Sequence, residues 1–205
     1  MARKKPTAGI ILAAGMSARF GSPKQLTMLG EKPLIERVLD VCLDSLLESI
    51  YLVLGYRRRE IVQALGNKAA HSRLKIIVNR DYRRGQSTSL KAGIAEIRGT
   101  YPSTMFILGD QPFMDTPTLN RMLERYWASD KDICVPFFKE KRGNPTIFSS
   151  MFYDEISNIR RDVGARKIIQ DNPGQVLAIE VKRASFFLDI DTQADLEKAS
   201  SHYLP

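Results

Sequence analysis

The residues from Ile10 to Gln25 constrain this chain more than any other stretch. A short apolar run ends in a loop of small residues that contains Gly15, Arg19, Gly21 and Lys24. Glycine tolerates positive φ and lets backbone approach a ligand closely, and such loops after a strand bind anions. The glycine spacing matches neither a Walker loop nor the dinucleotide fingerprint G-x-G-x-x-G. Taken alone, the stretch is either an ordinary strand-to-helix connection or a phosphate-binding loop.

The basic charge of the chain favours an anionic partner. Its 205 residues carry a net charge of +8, with 43% hydrophobic and 26% charged residues, as expected for a globular protein. The aromatic residues do not alternate with the basic ones, and we find no helix-turn-helix, zinc-finger or RNA-binding signature. We therefore predict a small polyphosphate substrate and no nucleic-acid partner.

The cysteines and histidines are too few for a soft metal site. Cys42 lies at helical spacing among apolar residues and Cys134 lies in a strand-like run, so both are predicted core thiols. With only His71 and His202 besides, zinc is disfavoured and any metal should be bound by oxygen ligands.

The basic start of the chain is followed by an apolar stretch that the glycine loop soon interrupts, which is not the pattern of a signal peptide. No apolar run approaches the ~20 residues of a membrane helix. We predict a cytoplasmic protein with no membrane contact.

Strands and helices alternate along most of the chain, which predicts an α/β three-layer sandwich with a mainly parallel, Rossmann-like sheet. Predicted strands cover 8–13, 49–54, 74–78, 104–108, 132–137 and 175–181, with a short extended piece at 145–148. Predicted helices are one opened by Pro33, with an apolar face reaching Leu47, and others at 58–65, 86–97, 117–128, 150–158, 164–171 and 195–203. We expect Thr116 to cap the helix beginning at Pro117. We predict one domain, with nucleotide binding in about 1–138 and acceptor binding in about 139–205.

Asp110 ends an apolar strand within the turn Gly-Asp-Gln-Pro. Ligands of open α/β sheets bind beyond the carboxyl ends of the strands, where the first glycine loop should also lie. A carboxylate there can hold Mg²⁺ beside a triphosphate, although an Asx turn is the commoner role for such a residue.

A second group of carboxylates follows near the end of the chain. Asp189 and Asp191 alternate with an apolar residue, so both should point to one face, and Asp191 is the favoured second metal ligand. Thr192 and Asp195 form a predicted capping box for the last helix, which is compatible with the metal role.

The segment 83–93 is rich in hydroxyl groups ahead of a helix. Two readings stay open for it: a helix cap by Ser87, or a segment that recognises base and ribose.

Several motifs together resemble the molybdenum cofactor cytidylyltransferase group of the MobA-like nucleotidyltransferases, within the glycosyltransferase-A-like fold. The match spans nearly the whole chain in order. The motifs are L-A-A-G-x-S-x-R-x-G-x-x-K at 12–24, R-G-Q-S-T-S-L at 84–90, G-D-Q-P at 109–112, G-N-P-T-I-F at 143–148, D-V-G-A-R at 162–166 and D-I-D-T at 189–192.

The resemblance implies roles for individual residues. It implies Asp110 and Asp191 as Mg²⁺ ligands, with Arg19, Lys24 and Asp110 as the catalytic set. It implies nucleotide binding by Leu12, Ala13, Ala14, Gly15, Arg19, Lys24, Gly85, Ser87, Ser89 and Asp110. It implies acceptor binding by Gly143, Asn144 and Pro145.

The resemblance also implies the substrates. Ala14 favours CTP, because related guanylyltransferases usually have glycine there, and the acceptor would be molybdopterin, with a molybdenum hydroxylase as the recipient of the product. Two departures are notable. Asn144 stands where the relatives often have histidine, and asparagine can form hydrogen bonds but cannot carry a charge. Phe20 stands where methionine is usual.

The residues suit transfer of a nucleoside monophosphate. A phosphate monoester has a second pKa of about 6, so it can attack the α-phosphorus without a protein base. The alternatives are GTP as the donor, a sugar or polyol phosphate as the acceptor, or a non-catalytic protein that binds nucleotide or cofactor for molybdenum hydroxylases.

Overall fold

The computed structural model describes residues 5–16, 20, 23–159 and 165–203. Its strands are β1 (Thr7–Ala13), β2 (Met28–Leu29), β3 (Lys32–Pro33), β4 (Ser49–Leu54), β5 (Leu74–Val78), β6 (Ser103–Leu108), β7 (Ile133–Phe138), β8 (Lys141–Arg142), β9 (Thr146–Ser149) and β10 (Val176–Glu180). Its α-helices are α1 (Leu34–Leu43), α2 (Arg58–Leu65), α3 (Gln86–Ile97), α4 (Thr116–Trp127), α5 (Tyr153–Asn158), α6 (Arg166–Asp171) and α7 (Gln193–Tyr203). Within these ranges, no helix combines the length and the apolar character needed to cross a bilayer.

The strand β1 lies at the centre of the main sheet and runs parallel to β4 on one side and to β6 on the other. The strand order is β10-β7-β9-β6-β1-β4-β5, with β8 paired to β7. The mainly parallel sheet is therefore confirmed. The short extended piece predicted at 145–148 is β9, which runs antiparallel between β6 and β7 in the interior of the sheet.

Helices cover both faces of this sheet. Neighbouring residues of a strand face opposite sides, so Ile11 packs with buried side chains of α1, α2 and α4, whereas Ile10 packs with those of α3, α5 and α6. The predicted three-layer sandwich is confirmed. The last helix, α7, lies outside these layers and packs through Ala199 against Leu29, Leu34 and Ile190.

The first helix is shorter than its apolar pattern predicts, because α1 ends at Leu43. The hydroxyl of Ser45 donates to the carbonyl of Cys42 at 2.7 Å and accepts from the N–H of Leu47 at 3.3 Å, which turns the chain. Leu47 is still buried, but Leu46 is 36% exposed. The prediction that one helical face extends to Leu47 is wrong for this local reason.

The cap of α4 is Asp115, not Thr116 as predicted. The Oδ1 of Asp115 accepts from the N–H of Thr118 at 2.8 Å, and Pro117 follows within the first turn. The hydroxyl of Thr116 instead donates to the carbonyl of Val41 at 3.2 Å. Two good capping residues stand next to each other here, and the packing of α4 on α1 assigns them different partners.

Cys42 and Cys134 are both buried free thiols, as predicted. Burial raises the pKa of both, that of Cys134 to about 12, so neither is ionised at neutral pH.

Candidate active site

Two loops meet where β1 and β6 end. The N–H of Gly109 donates to the carbonyl of Leu12 at 3.1 Å, which places the turn after β6 directly beside the loop after β1. A Cβ at position 109 would lie 2.9 Å from the Cβ of Ala13 and 3.2 Å from the Leu12 oxygen, so only glycine allows this approach. This contact places Asp110 next to the loop that follows β1.

Lys24 joins two carboxylates from distant parts of the chain. Its Nζ lies 2.5 Å from Oδ2 of Asp110 and 2.7 Å from Oδ1 of Asp191. Burial by itself lowers the pKa of Lys24, but the charge and hydrogen bond of Asp110, together with those of Asp191, outweigh it and raise that pKa. Lys24 is therefore a cation at neutral pH, and only 16% of its side chain is exposed.

The segment 189–191 is held against the turn after β6. The N–H of Ile190 donates to the carbonyl of Asp110 at 3.0 Å, and the side-chain amide of Gln111 donates to Asp189 at 2.8 Å. The two aspartates consequently have different partners, Gln111 for one and Lys24 for the other. Burial, and then the charge of Asp110, raises the pKa of Asp189.

The capping box predicted for the last helix is present and fixes the end of this segment. The Oδ2 of Asp195 accepts from the N–H of Thr192 at 2.8 Å, and the N–H of Asp195 donates to the hydroxyl of Thr192 at 3.2 Å. The same oxygen accepts from the N–H of Asp191 at 3.2 Å, so the cap also orients the backbone of the residue that contacts Lys24.

The donor set fits a hard divalent cation such as Mg²⁺. The Oδ1 of Asp110 is buried and has no hydrogen-bond partner, which leaves one carboxylate oxygen available as a ligand. The ammonium of Lys24 already places a positive charge between the carboxylates of Asp110 and Asp191. Among the described residues, no three His, Cys, Asp or Glu side chains form a metal cluster. A Mg²⁺ ion here would take its other ligands from substrate phosphates and water, as is usual for this ion.

A cavity of about 420 Å³ opens beside these charges, and we call it the loop cavity. The predicted nucleotide-binding residues that line it are Leu12, Ala13, Ala14, Gly15, Lys24, Gly85, Ser89 and Asp110. Ser87 does not line it, because two residues correspond to about 200° around a helix and Ser87 is buried on another side of α3. Arg19 lies outside the described residues.

Gln25 also lines the loop cavity, although sequence reasoning missed it. It is 3% exposed, and its side-chain nitrogen donates to the carbonyls of Ala13 at 3.2 Å and Gly15 at 3.3 Å. It therefore holds the loop after β1 in place. Gly15 itself does not adopt the positive φ that glycine permits, and a Cβ there would meet no protein atom within 4 Å.

A second cavity of about 780 Å³ lies beside the β7–β8 hairpin and the loop between β8 and β9, and we call it the hairpin cavity. Of the three residues predicted to bind the acceptor, Gly143 and Asn144 line this cavity, whereas Pro145 is buried just before β9 and does not. Sequence reasoning missed three cations in its lining, Lys141, Arg142 and Arg166. Its floor is apolar, formed by Leu90, Phe106, Val135 and Ile169.

The two cavities adjoin. Leu12, Gln86 and Leu108 line both of them. Asp191 faces the loop cavity and Asp189 faces the hairpin cavity. The aspartates therefore stand at the boundary, where groups held in the two cavities can react with each other.

Comparison with known proteins places most of the chain in one family. The profile of the MobA-like NTP transferase domain matches residues 9–176. The chain is 27% identical over 195 residues to the molybdenum cofactor cytidylyltransferase of Escherichia coli, covering 95% of each protein. It is 28% identical over 192 residues to nicotine blue oxidoreductase of Paenarthrobacter nicotinovorans, covering 90% of this chain and 91% of that protein.

A solved structure has the same fold. The crystal structure of Rv0371c from Mycobacterium tuberculosis superposes with a TM-score of 0.83 at 26% identity, covering 97% of this chain and 99% of that one. A second structure of that protein, in complex with manganese, gives a TM-score of 0.77 at 23% identity.

Proposed function

The chain belongs to the MobA-like NTP transferase domain family and is a nucleotidyltransferase, and we propose that it transfers CMP from CTP to the terminal phosphate of molybdopterin, releasing pyrophosphate. The observation that carries this proposal is the pair of adjoining cavities, one of which is lined by the charged group of Lys24, Asp110 and Asp191. Such a site brings two substrates together with charges that suit phosphoryl chemistry.

In this proposal the loop cavity holds the nucleotide. The backbone from Leu12 to Gly15 surrounds its phosphates, Lys24 and Arg19 neutralise them, and the segment from Gly85 to Ser89 approaches base and ribose. A Mg²⁺ ion held by Asp110 and Asp191 would stabilise the charge on the triphosphate and on the departing pyrophosphate.

The hairpin cavity holds the acceptor. Its apolar floor suits a flat ring, Gly143 and Asn144 offer polar groups beside it, and Lys141, Arg142 and Arg166 suit anionic substituents. An oxygen of the acceptor phosphate attacks the α-phosphorus, and the bond from that phosphorus to the α–β bridging oxygen breaks. The enzyme aligns the two phosphates and neutralises charge, and no protein base is required because the acceptor phosphate is already dianionic.

Two observations support cytidine and molybdopterin over the alternatives. Ala14 lines the loop cavity at the position where related guanylyltransferases usually have glycine. The Escherichia coli cytidylyltransferase aligns over 95% of both chains, so the regions that would bind nucleotide and acceptor are both included in the match.

The test is release of pyrophosphate from each of CTP, GTP, ATP and UTP, with Mg²⁺ and with or without molybdopterin, together with mass spectrometry of the product. Release with CTP alone, only when molybdopterin is present, supports the proposal. Release with GTP instead of CTP would identify GTP as the donor. Release only with a sugar or polyol phosphate would identify that phosphate as the acceptor. Tight binding of nucleotide without any release would indicate an accessory binding protein.

A further inference from the structure

A buried chain of hydrogen bonds ends on Ser89, in the wall of the loop cavity. It starts at Asn79, which follows β5 and is 4% exposed. The Oδ1 of Asn79 accepts from the backbone N–H of Asp81 at 2.9 Å. A backbone N–H can only donate, so this bond fixes which end of the amide is oxygen and which is nitrogen.

The amide nitrogen of Asn79 therefore faces α3. It donates to the hydroxyl of Thr88 at 2.8 Å and to the hydroxyl of Ser89 at 3.0 Å. An amide NH₂ group has two hydrogens and cannot accept. Both hydroxyls must act as acceptors toward Asn79, and each keeps its own proton for another partner.

The two hydroxyls use their protons differently. Thr88 donates within the protein, to the carbonyl of Gly85 at 2.8 Å or that of Asp81 at 3.2 Å. The Gly85 carbonyl also accepts from the N–H of Thr88 at 3.2 Å. This carbonyl stands four residues before Ser89, where a helical serine would otherwise donate, but among the described residues no side-chain hydrogen bond runs from Ser89 to it.

The hydroxyl proton of Ser89 is thus left for the loop cavity, which Ser89 lines and Asn79 and Thr88 do not. Among the described residues, Ser89 makes its only side-chain hydrogen bond with Asn79, as the acceptor. The residue is 5% exposed, so there is little bulk water to receive the proton.

We propose that Asn79 is a positioning residue that makes Ser89 an obligatory hydrogen-bond donor toward the nucleotide. The enzyme thereby selects a base that presents an atom able only to accept, a carbonyl oxygen or ring nitrogen, at this point. This inference rests on the proposed function, in which the loop cavity holds the nucleotide, and a pyrimidine such as cytosine offers both kinds of acceptor.

The test measures equilibrium binding of CTP and of inorganic triphosphate, which has no base, to the wild type and a set of variants. Ser89→Ala should weaken CTP binding by about fivefold, within the range of a single neutral hydrogen bond, and leave triphosphate binding unchanged. Asn79→Ala should weaken CTP binding less, because Ser89 keeps its hydroxyl but loses its fixed direction.

Asn79→Asp gives the sharpest expectation. A carboxylate still accepts from Asp81 but offers a second acceptor to Ser89, whose proton then turns away from the cavity. The lone pairs of the Ser89 oxygen would then face the acceptor atom of the base. CTP binding relative to triphosphate binding should therefore fall by about tenfold or more. Taking the ratio to triphosphate removes the general effect of the added negative charge. Thr88→Ser, which keeps the hydroxyl that contacts Asn79 and Gly85, is the matched control and should keep the wild-type ratio.

Several results would overturn the inference: an unchanged CTP-to-triphosphate ratio in Asn79→Asp, a Thr88→Ser variant that behaves like Ser89→Ala, or additive losses in the double variant Asn79→Ala/Ser89→Ala. The expected double variant binds CTP as Ser89→Ala does. If Asn79→Asp does not fold, this double-variant comparison decides. A wild type that binds CTP selectively but never releases pyrophosphate would contradict the proposed function and leave this binding test in force.

Discussion

The ammonium of Lys24 lies 2.5 Å from a carboxylate oxygen of Asp110, which is 86 residues further along the chain. Asp191 contacts the same ammonium from the other side. The protein therefore supplies its own cation to the two carboxylates that suit a metal. A divalent ion and Lys24 must compete for these oxygens, unless nucleotide phosphates draw the lysine away.

Lys24→Gln should accordingly change metal and nucleotide binding in opposite directions. Without the ammonium, Asp110 and Asp191 lose a competing cation, so Mn²⁺ should bind the substrate-free protein roughly tenfold more tightly. Binding of CTP should weaken by about tenfold or more, since a charge-assisted hydrogen bond to phosphate is lost. Titration calorimetry and the electron paramagnetic resonance of Mn²⁺ measure both.

The control for this experiment is Lys32→Gln, which removes the same charge at an exposed side chain paired with Asp40. It should alter neither affinity. Weaker Mn²⁺ binding by Lys24→Gln in the absence of nucleotide would show that the lysine does not compete with the metal.

Asp110→Asn should reduce nucleotidyl transfer by about two or more orders of magnitude and leave the fold intact, because a main electrostatic group is lost. The measurement is the rate of pyrophosphate release at saturating substrates, with circular dichroism to check the fold. Asp154→Asn, at an exposed carboxylate paired with Arg98, is the matched control. Turnover like that of the wild type in Asp110→Asn would rule out its role as a metal ligand.

Gly143→Ala should affect the acceptor far more than the nucleotide. An added Cβ would lie 2.1 Å from Cδ1 of Phe187, so the ring or the loop between β8 and β9 must move. We expect the KM for the acceptor to rise by roughly tenfold, since a displaced loop reshapes the hairpin cavity, with CTP affinity within about twofold of wild type.

Gly174→Ala provides the comparison for this substitution, because a Cβ at that position meets nothing within 4 Å. It should behave as the wild type in both assays. An unchanged acceptor KM in Gly143→Ala would show that the loop between β8 and β9 does not shape the acceptor site.

Asp115→Ala should lower the free energy of unfolding by about 0.5–2 kcal/mol at pH 7, the usual cost of losing an N-cap. Burial alone would raise the pKa of Asp115, but hydrogen bonds from Thr118 and the nearby Arg183 lower it below its ordinary value. A carboxylate with a lowered folded-state pKa stabilises the protein above its unfolded-state pKa, and this contribution is lost as pH falls through the folded-state value.

Urea denaturation from neutral to acidic pH measures how the stability contributed by Asp115 depends on pH. The difference between wild type and Asp115→Ala should be full at neutral pH and shrink as pH falls below about 4. Thr116→Ala, which removes the neighbouring hydroxyl, should cost less and show no such pH dependence. Equal losses for the two variants would contradict the assignment of the cap to Asp115.

The sequence predicted those parts of the site that local patterns encode. Asp110 stands directly after an apolar strand and Asp191 stands just before a capping box, so strand polarity and helix capping together place them at one edge of the sheet. That Lys24 contacts both required tertiary structure. The contact joins three segments that no periodicity connects.

Other features lie beyond local patterns. Asn79, Gln25 and Gln111 are buried amides whose partners are backbone groups or distant side chains, and in the sequence they look like ordinary loop residues. The apolar residues of β9 would look the same in an edge strand and in an inner strand. Non-local contacts decide which strands β9 pairs with, so its position in the sheet could not be predicted from its sequence. The choice of Asp115 over Thr116 was likewise settled by packing against α1.

The position of β9 limits how this enzyme could be altered. Because β9 pairs with β6 on one side and β7 on the other, the last third of the chain contributes an inner strand to the sheet that carries the first two-thirds. Cutting the chain after Phe138 would open a gap between β6 and β7. A chimera that exchanges this last third for that of another transferase would therefore also exchange part of the common core. The acceptor specificity is better changed by substituting side chains in the segment between β7 and β9 while its backbone is retained.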